Sequence, residues 1–249
     1  MKKLFAVLAM LAASIPSMAQ DQFSLSTGFD FSSGKYGNTA STDIVYIPVV
    51  GKYEIGDLML KLTVPYISIT GPGGVVQGVG RVGTTTTTRT TDSGLGDIVA
   101  MADYNFYSVG SVALDAVGKI KFGTADANKG LGTGKNSYSA QLDGYDTTGA
   151  TTLFATVGYK IYDVPVGFTL NNVLYGTIGA SQKLSNTTSA GAMLDMATSS
   201  SPTGSDQLEA TVYVSHKITP KLKVQANVLK GFANGSPDFG GGAMITSSF

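Results

Sequence analysis

Gly94-Leu-Gly-Asp-Ile-Val-Ala-Met-Ala-Asp-Tyr-Asn-Phe-Tyr-Ser-Val-Gly-Ser-Val-Ala-Leu-Asp-Ala-Val-Gly-Lys-Ile-Lys-Phe-Gly123 reads as two strands joined by a tight turn at residues 108–111. In the first strand Ile98, Ala100, Ala102, Tyr104 and Phe106 share one face, and Asp97, Val99, Met101, Asp103 and Asn105 share the other. In the second, Val112, Leu114, Ala116, Gly118, Ile120 and Phe122 oppose Ala113, Asp115, Val117, Lys119 and Lys121. Strand side chains alternate with period two, so each strand has one apolar face and one charged face. On a helix the same charges would spread around the cylinder and leave no apolar stripe. An apolar face ending in aromatics, backed by charges, is the pattern of a strand with lipid outside and a wet lumen inside.

The flanking chain extends this reading. Met1-Lys2-Lys3 is basic, Leu4 to Ile15 is apolar, and Ser17-Met18-Ala19 offers small residues to a signal peptidase. Residues 1–19 are therefore expected to be a signal peptide cleaved before Gln20, leaving 20–249 as one exported unit. After it, no apolar run is long enough to cross a membrane as a helix. Hydrophobic residues nevertheless make up 43% of the chain, alongside 32 glycines and 14% charged residues, which suits many short alternating strands. Lys and Arg balance Asp and Glu at 17 each, so no attraction to nucleic acid follows. The absence of cysteine removes disulfides, zinc–thiolate sites and a cysteine nucleophile.

Further alternating segments are read as strands at 22–32, 42–55 and 58–69. In the second of these, Ile44, Tyr46 and Val50 blur the pattern. A Gly- and Thr-rich loop, 70–93, precedes the central hairpin and contains five consecutive threonines, Thr84 to Thr88. Another loop, 123–136, follows it, then strands 137–145 and 151–161 and a compact turn at 162–165. Outer-membrane barrels keep short turns on one side and long loops on the other, with both termini on the short side. If 166–184 were one strand, the polar stretch 186–206 would fall on the short side. A break near Tyr175-Gly176 restores the rule, giving strands 166–175 and 177–185, then 207–218, 222–230 and 238–249. The expected fold is an all-β, transmembrane, antiparallel up-and-down barrel of twelve strands, or ten without that break.

Gly94-Leu-Gly-Asp97, Lys121-Phe-Gly-Thr-Ala-Asp126, Gly130-Leu-Gly-Thr-Gly134 and Val157-Gly-Tyr159 resemble the outer-membrane transporter family labelled "MetA-pathway of phenol degradation". The match covers residues 94–160 and departs at Phe122-Gly-Thr124, where the family has Pro-Thr-Gly. The resemblance implies a monomeric barrel passing small, hydrophobic or aromatic compounds. The terminal Phe249 resembles the closing strand that the barrel-assembly machinery recognises. Expected partners are outer-membrane lipid and lipopolysaccharide, that machinery through Phe249, and small solutes, in the envelope of a Gram-negative bacterium.

Chemical motifs weigh less. Gly130–Lys135 lacks the spacing and hydroxyl of a phosphate loop, with Lys129 and Asn136 at the deciding positions. Asp126-Ala-Asn-Lys-Gly130 lacks the remaining carboxylates of a calcium loop. His216 is the only histidine and lies on the apolar face of its strand, where an imidazole suits the headgroup interface. Ser215 beside it points to the opposite face, so the two cannot form a nucleophile and base pair. No catalytic residue, metal or cofactor is expected. The candidate functional residues are the lumen-facing charges Lys61, Asp97, Asp103, Asp115, Lys119, Lys121, Asp143, Lys160, Lys183, Glu209 and Lys223. They either line a selective solute pathway or fill an occluded lumen as mutually paired charges, the latter suiting a structural or surface-interaction barrel.

Overall fold

The computed structural model describes residues 22–82, 88–167 and 169–249. The expected signal peptide, Thr84 to Thr87 of the threonine run, and Phe168 lie outside the described residues. The strands are β1 (Gln22–Gly34), β2 (Thr42–Ile55), β3 (Leu58–Gly71), β4 (Val75–Val76), β5 (Gly80–Arg81), β6 (Thr90–Leu95), β7 (Val99–Val109) and β8 (Val112–Lys121), followed by a 3-10 turn, Ala127–Lys129. The chain continues with β9 (Ser137–Thr148), β10 (Thr151–Tyr162), β11 (Val173–Lys183), β12 (Thr188–Ala197), β13 (Gln207–Thr219), β14 (Leu222–Gly231) and β15 (Phe239–Ser248).

Each long strand pairs antiparallel with its sequence neighbours, and β1 pairs with β15, which closes the sheet. β6 and β7 both pair with β3 and together form one wall strand, so the wall has twelve strands. Closure leaves no free sheet edge around the wall, the condition for backbone to cross lipid. Two-residue turns at Gly56-Asp57, Gly110-Ser111, Gly149-Ala150 and Pro220-Lys221, with a four-residue turn at 184–187, occupy one end together with both ends of the described chain. Longer connections occupy the other end. The barrel thus obeys the short-turn and long-loop asymmetry.

The expected count of twelve holds, but its route is corrected. There is no turn at Tyr175-Gly176; both residues lie inside β11, and among the described residues no strand lies between β10 and β11. The twelfth strand is β12, inside the stretch 186–206 that the alternation argument treats as a loop. Its outward positions, Ala190, Ala192, Leu194 and Met196, begin with small side chains, so the apolar signal is weak. Wall pairing on both sides compensates, through ten residues to β13 and nine to β11.

The face assignment of the central hairpin is confirmed: Ile120 is 39% exposed on the outer surface, whereas Val117, of the opposite parity, is 4% exposed. Aromatic pairs mark the two ends of the outer band. Phe23 stacks near Phe249 at the short-turn end (5.9 Å), and Phe31 near Phe239 at the loop end (6.1 Å). Ile120 is opposite Tyr138 and precedes Phe122, which places it near the loop-end belt rather than mid-strand. Val157, facing Leu142, is central.

Inside the wall, glycines receive rings from neighbouring strands. A Cβ on Gly158 would meet Tyr175 Cζ at 2.3 Å, and one on Gly191 would meet Tyr213 Cζ at 2.5 Å. Rings placed over glycines stitch adjacent strands and occupy part of the lumen.

Candidate functional site in the lumen

Residues 72–82, which follow β3, fold into the loop-end mouth. Gly73, Gly74, Gly78 and Gly80 all take positive φ, which allows the chain to double back as the β4–β5 hairpin. Val75, Val76 and Val79 are buried. Ser200 donates to the Val79 carbonyl, Ser201 donates to the Arg81 carbonyl at 2.5 Å, and Arg81 Nη1 donates to the Gly37 carbonyl at 3.0 Å. The hairpin is thereby tied to the β1–β2 and β12–β13 loops and lies across the mouth.

An apolar cluster beneath the loops holds it there: Tyr36, Ile44, Ile67, Ile69, Val75, Ala125 and Leu131. This explains the blurred alternation of β2. Ile44 faces inward to meet the loops, while Ile47 and Ile55 are exposed outside. Tyr36, in the β1–β2 loop, is buried enough that its phenol titrates above its ordinary range and stays neutral.

The Gly94-Leu-Gly-Asp97 motif acquires a structural meaning here. Pro65 has no N–H to continue the ladder, so the wall strand breaks between β6 and β7, and Gly96 N–H donates to the Pro65 carbonyl at 2.9 Å. A Cβ on Gly96 would sit 2.9 Å from the Pro65 ring. The break turns Asp97 inward, where one oxygen accepts from Lys121 and the other from the Ala125 N–H at 3.0 Å. Lys121 thus pairs with Asp97. The Gly130–Gly134 run packs over this pair: Leu131 is buried, and a Cβ on Gly132 would meet Asp97 Oδ1 at 2.9 Å.

The other sequence-predicted charges take inward positions in separate groups. Asp103 has Asp115, Asp143, Lys61 and Lys119 as electrostatic neighbours. Gln141 organises this layer: its carbonyl accepts from Lys119 Nζ at 2.6 Å and from the Tyr175 hydroxyl at 2.9 Å. Its amide nitrogen donates to both oxygens of Asp143 at 2.8 Å. Asp143 also accepts from Thr156 at 2.6 Å, and Asp115 accepts from Asn105 at 2.6 Å. Lys183 and Lys223 are exposed at the short-turn rim, Lys223 directly opposite Lys217. Thr188 and His216 Nδ1 share a hydrogen bond of 2.9 Å on the outer parity.

Lys160 and Glu209 line a cavity of about 220 Å³ between the hairpin and the β10–β13 wall. Sequence reasoning missed three further participants, Asp195, Arg81 and Tyr175. Asp195 was hidden with its strand, Arg81 lies in a hairpin without periodicity, and Tyr175 was placed at a turn. Among the described residues, no group of three or more His, Cys, Asp or Glu side chains is arranged to hold a metal ion.

No protein-family model matches the chain, and no curated protein matches it. Among solved structures it is similar to an outer membrane channel from Pseudomonas putida F1, at 11% identity over 95% of this chain and 98% of that one, with a TM-score of 0.72. It is also similar to the KdgM porin (13% identity, 91% and 99% covered, TM-score 0.54) and to the NanC porin (10%, 90% and 98%, 0.52). At these identities the likeness establishes a shared barrel fold.

Proposed function

We propose that this protein is an outer-membrane channel for small solutes, exported by the signal peptide at 1–19 and narrowed at its outer mouth by the β4–β5 hairpin. The observation that carries this reading is the lumen lining. Hydroxyls, amides and charges of both signs run from Lys183 and Lys223 at the rim, through the Lys119–Gln141–Asp143 layer, to the cavity under the hairpin. Hydrated solutes need hydrogen-bonding partners along their route, and this lining supplies them. The barrels of similar fold include a channel and two porins, which supports the reading. The aromatic or hydrophobic solutes implied by the family resemblance would meet Tyr36, Tyr162 and Tyr175 in the cavity, but polar walls elsewhere.

The hairpin itself favours a second reading, a barrel with a closed lumen whose loops make surface contacts. Single-channel conductance and liposome swelling separate the two. The channel reading expects current from the wild type, and a larger current when Val75–Arg81 is replaced by a short Gly-Ser linker. A folded, vesicle-inserted protein silent in both forms would establish the closed barrel.

A further inference from the structure

The cavity under the hairpin keeps opposite charges apart. Asp195 on β12 stands directly across from Glu209 on β13, and both line it. Like charges directly opposite in an antiparallel pair destabilise a sheet. Neither acid belongs to an ion pair among the described residues; Asp195 accepts from the Thr177 hydroxyl at 2.6 Å, and Glu209 is hydrogen-bonded to Ser236. Lys160, on β10 beyond the intervening β11, has ring faces instead of a carboxylate. Its Nζ lies 5.7 Å from the centre of Tyr162 and 6.0 Å from that of Tyr175. Arg81 enters from the hairpin, and its Nε is buried without a hydrogen-bond partner. A charge network serving only stability would bring these groups together. Here they line one cavity of about 220 Å³ without pairing.

We propose that this cavity is a binding subsite for a small zwitterion of the amino-acid type, a reading that rests on the channel function and specifies its solute. The solute carboxylate takes the Lys160 ammonium, with the Arg81 guanidinium adding positive charge to the cavity lining. The solute ammonium takes Asp195 and Glu209, relieving their repulsion. The side chain lies against the tyrosine rings. A simple anion satisfies one wall and leaves the two acids facing each other; a polyol supplies no cation.

The test is calorimetric titration of the refolded mature protein in micelles with L-glutamine, butyrate, butylamine and glycerol, with single-channel recording in parallel. L-Glutamine is expected to bind saturably, at least about tenfold more tightly than any of the other three. Glu209→Gln and Asp195→Asn should each weaken L-glutamine about tenfold and leave butyrate unchanged, whereas Lys160→Met should weaken L-glutamine and butyrate but not butylamine. Because Glu209→Gln removes a like-charge contact, its resistance to unfolding should equal or exceed that of wild type, which separates lost binding from lost folding. Equal binding of butyrate or glycerol, or no saturable L-glutamine binding, overturns the proposal. Current without L-glutamine binding would reject the subsite and leave the channel standing; binding without current would keep the subsite and reject the pathway.

Discussion

Replacing Lys121 by Met tests whether the inward charges near the mouth hold the structure together or serve transport. The Lys121 and Asp97 side chains are 19% and 8% exposed, so the pair is nearly withdrawn from water. Methionine keeps the length and apolar stem of lysine but strands the Asp97 carboxylate. Removing one partner of a buried pair costs about 3–5 kcal/mol. Asp97 retains the Ala125 N–H, so the lower end applies, about 3 kcal/mol. Converting both partners, Lys121→Met with Asp97→Asn, removes the stranded charge and should recover most of the loss. Urea titration of the barrel in lipid vesicles, followed by circular dichroism and by gel mobility with and without boiling, reads both variants. Lys119 supplies the contrast, since it donates to the neutral Gln141 amide, and Lys119→Met should alter current more than stability. A loss below about 1 kcal/mol for Lys121→Met, the size expected of an exposed pair, would refute the argument. So would a double variant as unstable as the single one.

Depth along the outer wall gives another outcome. Val157→Lys in the central band should cost about 2–4 kcal/mol, and Ile120→Lys beside the Tyr138 belt about 1 kcal/mol or less; equal costs in vesicle unfolding would reject the depth assignment. Gly191→Val should force the Tyr213 ring off its strand and cost about 1–3 kcal/mol, and an unchanged unfolding midpoint would show that the ring does not lie there. An epitope tag within 198–206 should be reached by antibody on intact cells, while tags at 184–187 or at Gly110-Ser111 should be hidden. A tag exposed at 184–187 would restore the broken-strand topology that the wall pairing rejects.

Most of the wall was legible because the information is local. Whether Leu60 or Lys61 faces lipid follows from the two-residue period and the chemistry of the two sides. The period fails where the sides stop differing. The first half of β12 contains Ala190, Gly191 and Ala192, three small residues whose outward and inward members look alike, so only hydrogen bonding to β11 and β13 defines it. The count of twelve survived because an up-and-down barrel with both termini at one end needs an even number of strands, and the spurious break replaced the strand that was missed.

The inward charges divide in the same way. Parity alone places Lys61, Asp103, Asp115, Lys119 and Asp143 on the lumen side. Parity carries no information about partners, because a side chain in the lumen can reach groups several strands away around the barrel. Even on the neighbouring wall strand the partner depends on the fold: Lys121 takes Asp97, which Gly96 and Pro65 deliver by breaking the wall. Ile44, Ile67 and Ile69 are apolar on the lumen side for a reason absent from their own strands: a hairpin with no periodicity of its own folds down to cover them. By itself the sequence determined that the chain crosses a membrane as a closed sheet, since alternation and closure are consequences of backbone geometry. Only the tertiary structure decided what occupies the mouth and which charges remain unpaired beneath it, since those depend on loops whose positions are set by contacts far apart in the chain.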